Sequence, residues 1–135
     1  MNTIRLMIID DSSSARRVFE RMLADWVEID VVASVDDARK AIEQLPTLKP
    51  DVITLDVEMP GLSGIEALRQ IKEAAPDTKV IMLSALTQRG SKTSVEAMEL
   101  GAADILTKPG LGVSPSEFKK TLYEKLIALA RVQKS

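Results

Sequence analysis

The feature that most constrains this chain is a fivefold alternation. Short blocks of Ile, Val, Leu and Met, too brief to be helices, are separated by longer stretches of helical period. That alternation is how a sequence encodes consecutive βα units, and it predicts an α/β fold on a parallel sheet. The expected strands are residues 5–10 (RLMIID), 31–35 (VVASV), 51–56 (DVITLD), 79–84 (KVIMLS) and 104–108 (DILTK). Three of these are apolar blocks without polar alternation, the pattern of strands covered by helices on both faces. Five such units joined by right-handed crossovers point to a doubly wound parallel sheet of order 2-1-3-4-5 with helices on both faces.

The intervening stretches supply the helices. The first is expected to start at a serine cap within residues 12–14 and to turn Ala15, Val18, Met22 and Leu23 inward. The second spans about residues 36–45, with Ala38, Ala41, Ile42 and Leu45 at helical spacing before Pro46. The third follows Gly64 with Ile65, Leu68 and Ile71 on one face, and Pro76 lies beyond its end. The fourth covers about residues 91–100, with Val95 and Met98 inward and Gly101 as its left-handed C-terminal residue. The last carries Phe118, Leu122, Leu126 and Leu129 at spacings of three and four. One domain over residues 1–131 is expected, with residues 132–135 as a tail or the start of a linker.

Composition removes many functions. The formal charge of -2 gives no basic field for a phosphate backbone, so no direct nucleic-acid binding is expected. No stretch approaches the roughly 20 apolar residues of a membrane span, and no secretory signal opens the chain, so membrane insertion is not expected and the expected location is the cytoplasm. With Cys 0 and His 0 there is no disulfide, no thiolate zinc site, no cysteine nucleophile and no serine–histidine triad. Any bound metal must then be an oxygen-seeking ion such as Mg2+ or Ca2+ held by carboxylates.

With the strands so placed, their carboxyl ends bear Asp10 and Asp11, then Asp56, Ser84 and Lys108. Ligands bind at this edge of a doubly wound sheet. Each residue alone has an ordinary structural reading, as a helix cap, a turn hydroxyl or an exposed cation. Together, three carboxylates in one crevice repel one another and need a cation or a lysine to stay ionised. An acidic triad with room for waters and a phosphate oxygen suits Mg2+, and phosphoryl transfer needs a nucleophile, a metal and cationic or hydroxyl donors. Asp56, Mg2+, Lys108 and Ser84 would supply those parts, with Asp56 forming an acyl phosphate.

The segments IIDDS (8–12), LDVEMPGLSGIEAL (55–68), IMLSALT (81–87) and GAADILTKP (101–109) resemble, in order and over nearly the whole chain, the receiver domains of two-component response regulators. The resemblance implies a CheY-like fold and a phosphorelay role in which a sensor histidine kinase or phosphotransfer domain supplies the phosphoryl group. It implies Asp56 as phosphoacceptor and Mg2+, with Mn2+ as a substitute, held by Asp10, Asp11, Asp56 and the backbone carbonyl of Glu58. It further implies Ser84, Ala85 and the position of Ile105 as switch residues, Lys108 as the family's invariant lysine, a cis bond before Pro109, and Pro60 and Gly64 shaping the acceptor loop. Output to a target or an attached domain would pass through the face of helix four and strand five.

Within that family the stretch from residue 83 to Gly110, with GLGVSPSEF (110–118), looks most like the receiver half of chemotaxis methylesterases. The chain itself has no histidine for the methylesterase triad, so its only expected chemistry is its own phosphorylation and dephosphorylation. Where family members usually carry Tyr or Phe as a swinging ring, this chain has Ile105, which also fits as plain strand core.

Three other readings share part of the pattern. A flavodoxin-like electron carrier has the same fold, but Asp10 and Asp11 would face the flavin phosphate, and Trp 1 and Tyr 1 leave little to stack on the ring. An aspartate-based phosphatase is suggested loosely by Asp56-Val57-Glu58. A receiver-like module that only binds partners would not need the intact acceptor set.

Overall fold

The computed structural model describes residues 3–59, 62–84, 92–109 and 114–134, with the side chains of the last helix described to residue 129. The elements follow one another as β1 (Ile4–Ile9), α1 (Ser13–Leu23), β2 (Ile29–Val35), α2 (Ala38–Leu48), β3 (Val52–Asp56), α3 (Gly64–Ala74), β4 (Lys79–Ser84), α4 (Lys92–Glu99), β5 (Asp104–Thr107) and α5 (Pro115–Lys134). The five strands form one parallel sheet in the order β2-β1-β3-β4-β5. The α/β doubly wound arrangement read from the sequence is therefore the observed one, and α5 continues as helix into the stretch read as a tail.

The apolar blocks become the inner strands because each must face two layers of helix. Every residue of β3 is buried, as are all but Arg5 of β1 and all but Lys79 of β4. One side chain set, Leu6, Ile8, Val52, Ile81 and Leu83, packs with Phe19, Leu23, Phe118, Leu122 and Leu126 of α1 and α5. The alternate set, Met7, Ile9, Ile53, Leu55, Val80 and Met82, packs with Ala41 and Leu45 of α2, Leu68 and Ile71 of α3 and Ala97 of α4. Period-two alternation thus divides one sheet between two cores.

Caps fix where the helices begin at the carboxyl edge. Ser12 Oγ accepts the Ala15 N–H at 3.2 Å, the Asp37 carboxylate accepts the Arg39 N–H at 2.7 Å, and Ser63 Oγ accepts the Glu66 N–H at 3.2 Å. Gly101 closes α4 at φ 101, with its N–H bonded to Met98 O and the Ala102 N–H to Ala97 O, a Schellman ending.

Four local expectations give way. α2 does not stop before Pro46: it runs on to Leu48 and ends in left-handed Lys49, whose N–H bonds Leu45 O at 2.9 Å. The proline falls in the last turn, where little helix remains to be disturbed. In α1 the inward residue is Phe19, while Val18 is 49% exposed, because a step of 100° moves one neighbour off the stripe of Phe19, Met22 and Leu23. In α4 Val95 and Met98 face solvent and Ala97 is the buried residue, so this helix meets the sheet through a small side chain. Finally, Lys108–Pro109 is trans, as is every peptide bond among the described residues. The trans isomer is the favoured one for an X–Pro bond, and with it the lysine side chain already reaches both buried carboxylates.

Candidate functional site

The chain reverses its winding between β1 and β3, and the crevice at that switch point opens at the strands' carboxyl ends. Asp10 follows β1 directly, Asp56 ends β3, Ser84 ends β4 and Lys108 follows β5. Asp10, Asp56 and Ser84 are buried, and Asp11 is exposed at the rim. Carboxylate oxygens of Asp10, Asp11 and Asp56 lie within 4.8 Å of one another.

A single cation spans the two buried acids. Lys108 Nζ is 3.0 Å from Asp10 Oδ2 and 3.0 Å from Asp56 Oδ1. Asp10 Oδ2 has the Lys108 ammonium as its ion-pair partner. The backbone holds the acids in place. Asp10 Oδ1 accepts the Ser12 N–H at 2.9 Å, and Asp56 Oδ1 accepts the Glu58 N–H at 3.1 Å. The Asp56 oxygen Oδ2 carries neither of the bonds that occupy Oδ1, from Lys108 and from the Glu58 amide.

Burial pushes the Asp56 carboxyl up to about 7; the Lys108 ammonium and the Glu58 N–H pull against this, while the charge of Asp10 adds to it. Lys108 is raised as well, for a different reason. Burial alone would lower it, but the carboxylates of Asp10 and Asp56 outweigh burial and hold it above the ordinary lysine range. This opposition of charge against desolvation marks a site rather than a surface ion pair.

The lining of the crevice is also set locally. Val57 N–H bonds Leu83 O at 2.9 Å, and Gly64 N–H bonds Val57 O at 3.3 Å. Gly64 allows this approach, since a Cβ there would lie 2.7 Å from Val57 Cα and 2.9 Å from Asp56 O. The Ser84 hydroxyl donates to Glu58 Oε1 at 2.6 Å, and the Ser84 carbonyl accepts the Lys108 N–H at 2.9 Å. Ile105 is partly buried against the core under α3 and α4. Pro60 and Ala85, named from the sequence, lie outside the described residues.

Arg16 and the side-chain role of Glu58 were not singled out by sequence. Arg16 donates from Nη1 to the Asp10 carbonyl at 2.7 Å, and the Glu58 side chain, not only its backbone, faces Ser84. For Arg16 a signal was present, because a basic residue in the first turn of a helix opposes the helix dipole and invites a specific reason.

The acidic trio fits a divalent cation by its donor chemistry: carboxylate oxygens only, two of them buried, converging within coordination reach. An α/β domain whose carboxyl edge gathers such acids with a lysine and a hydroxyl has the kinds of group that metal-assisted phosphoryl transfer requires. The sequence profile of the response regulator receiver domain matches residues 6–121, and the chain belongs to that family.

Similar proteins narrow the likeness. The chain is 40% identical over 131 residues, 96% of its length, to a protein-glutamate methylesterase/protein-glutamine glutaminase of Idiomarina loihiensis, and this covers 34% of that protein. It is 44% identical over 111 residues, 82% of its length, to the protein of the same name from Thermotoga maritima, covering 32% of it. The chain thus spans about a third of the curated relatives it matches. Among solved structures it is similar to the response regulator domain of Thermotoga maritima CheB, with TM-score 0.86 and 40% identity over 95% of this chain and 96% of that one. The chemotaxis protein CheY4 of Vibrio cholerae is more distant, at TM-score 0.74 and 27% identity over 90% and 98%. The chain is a receiver domain of the CheB type. Neither the electron-carrier nor the phosphatase reading gains support from these relatives. No helix among the described residues is long and apolar enough to cross a membrane.

Proposed function

We propose that this receiver takes a phosphoryl group from a phosphohistidine onto Asp56 and uses it to control a chemotaxis output. The observation that carries the reading is the bridged pair Asp10–Lys108–Asp56 at the carboxyl edge, with contacts of 3.0 Å on each side. Asp56 Oδ1 is held by Lys108 and the Glu58 amide, which leaves Oδ2 as the attacking atom. Attack forms an acyl phosphate as the P–N bond of the donor breaks, and the imidazole nitrogen leaves with the electron pair and takes up a proton. Lys108 stays beside the new phosphoryl group as fixed positive charge, and Ser84, at the carboxyl end of the neighbouring strand β4, would offer it a hydroxyl proton.

Asp10, Asp11 and Asp56, with the Glu58 carbonyl, would hold Mg2+ or, in its place, Mn2+; the ion supplies charge neutralisation at the phosphoryl oxygens. The chain's own chemistry ends with gaining and losing this group, in the cytoplasm. The exposed Val95 and Met98 on α4, next to the partly buried β5, provide the apolar face through which a target or output domain would read the state.

The match to about a third of the methylesterases favours a second, compatible reading, in which the same switch regulates a methylesterase domain on a longer chain. The deciding experiment is labelling by a phosphohistidine kinase or a small phosphodonor with Mg2+. Mass spectrometry should place one phosphoryl group on Asp56, Asp56→Asn should take up none, and label on any other residue refutes the assignment. In calorimetric titration Asp11→Ala should lose Mg2+ affinity, and an unchanged affinity removes Asp11 from the metal set.

A further inference from the structure

The contact between Ser84 and Glu58 is not needed to build the acceptor site, yet it occupies the hydroxyl that the acceptor reading requires. Ser84 Oγ donates to Glu58 Oε1 at 2.6 Å, a short bond to a carboxylate. A serine hydroxyl has one proton, so it can serve one acceptor at a time. The main chain on both sides is fixed. The Ser84 carbonyl is tied to the Lys108 N–H at 2.9 Å, and the Glu58 amide is tied to Asp56 Oδ1 at 3.1 Å. An exchange of partners then falls to the rotor of Ser84 and the long side chain of Glu58. Ser84 is 7% exposed, whereas Glu58 is exposed, so a released Glu58 carboxylate is rehydrated at little cost while the buried hydroxyl must find a partner inside.

We propose that Glu58 is a positioning residue that holds the Ser84 hydroxyl proton in competition with the phosphoryl group, so that phosphorylation of Asp56 must win this proton from Glu58 before Ser84 can report it. Both acceptors are anionic, so the switch exchanges one charge-assisted hydrogen bond for another and stands close to balance. The same Glu58 whose amide steadies the acceptor carboxylate thereby sets the threshold of the switch with its side chain. The proposal rests on the acceptor reading above.

The test is a double-mutant cycle on binding of the phosphoryl mimic beryllofluoride in saturating Mg2+, followed by calorimetry. Glu58→Gln should raise affinity about 3- to 10-fold when Ser84 is present, the range expected for relief of one competing hydrogen bond. In a Ser84→Ala background the same change should alter affinity less than about twofold, and Ser84→Thr, which keeps a hydroxyl, should restore the coupling. Removing the Glu58 charge by itself also favours an anion, but that effect is independent of residue 84, so equal gains in all three backgrounds overturn the proposal. So does a Glu58→Gln protein that binds as the wild type does. If the wild-type protein binds no beryllofluoride, the acceptor site itself is refuted, and this competition with it.

Discussion

α3 and α4 both follow strands that end in site residues, yet they are held very differently. α3 buries Gly64, Ala67, Leu68 and Ile71 and starts with a serine cap at Ser63, after the loop that follows Asp56. α4 buries only Ala97 and turns Val95 and Met98 to solvent. β3 is buried throughout, whereas β5 has one buried residue in Leu106. The side that carries the buried Asp10 and Asp56 carboxylates is locked into the core. The side proposed to carry a signal outward rests on few contacts, as elements that move must.

That contrast can be broken or sharpened by substitution. Leu68→Ala on the buried face of α3 should cost about 2 to 5 kcal/mol in denaturant unfolding, as a fully enclosed leucine leaves a cavity. A cost below about 1 kcal/mol would mean that α3 is as loosely held as α4. Gly64→Ala should destabilise by about 1 to 3 kcal/mol, because the new methyl meets Val57 and Asp56 backbone rather than a yielding side chain. It should also slow phosphoryl uptake by shifting the acceptor loop, measurable as the initial labelling rate.

An effect of a different kind is expected from pH. The Asp56 pKa is raised on folding, from an ordinary 3.8 to about 7, so the folded state binds the proton more tightly than the unfolded chain. Stability from this group is therefore fully present below about 4 and declines as pH rises toward about 7. In chelator-containing buffer, the stability difference between wild type and Asp56→Asn should shift against the wild type across that window, and a difference that stays flat would show that Asp56 ionises as it does in the unfolded chain. The smallest change belongs to α4. Met98→Ala, half exposed, should alter stability by less than about 0.5 kcal/mol in the same assay while weakening binding of an output partner. A large loss of stability would place Met98 in the core after all.

The sheet and the principal site residues were legible in the sequence for one reason. Strands covered on both faces are mostly apolar, so the charged or hydroxyl residue that closes each block marks its carboxyl end, and Asp10, Asp56, Ser84 and Lys108 stand at those ends. Helix faces were less legible. Val18 and Phe19 both fit a stripe, and the choice depends on how α1 is rotated against Leu23 and Phe118, which no local pattern records. In α4 the larger residues, Val95 and Met98, suggested the buried face, but the approach to the sheet requires a small one, Ala97. Pro46 looked like a stop because a proline normally is one, yet its position in the last turn left the helix intact. The pairings of Glu58 with Ser84 and of Arg16 with the Asp10 carbonyl depend on side-chain reach across the crevice, which spacing along the chain does not encode.

The turn between α1 and β2 has an optical consequence. Trp26 lies 4.9 Å from the Tyr123 ring, centroid to centroid, with Lys119 Nζ 5.9 Å above it. Its neighbour Glu28 accepts the Ile4 N–H with its carbonyl, which anchors this turn at the start of β1. Asp10 is at the far end of that strand, roughly 20 Å away at about 3.3 Å per residue. The protein's single tryptophan is thus a chromophore at the opposite pole from the acids, joined to α5 through Tyr123. Its emission should follow the docking of α5 and the loss of structure in a melt, and should stay nearly silent when a cation or an anion enters the crevice, so a spectroscopist wanting a colour change from the site would have to place a second indole near it.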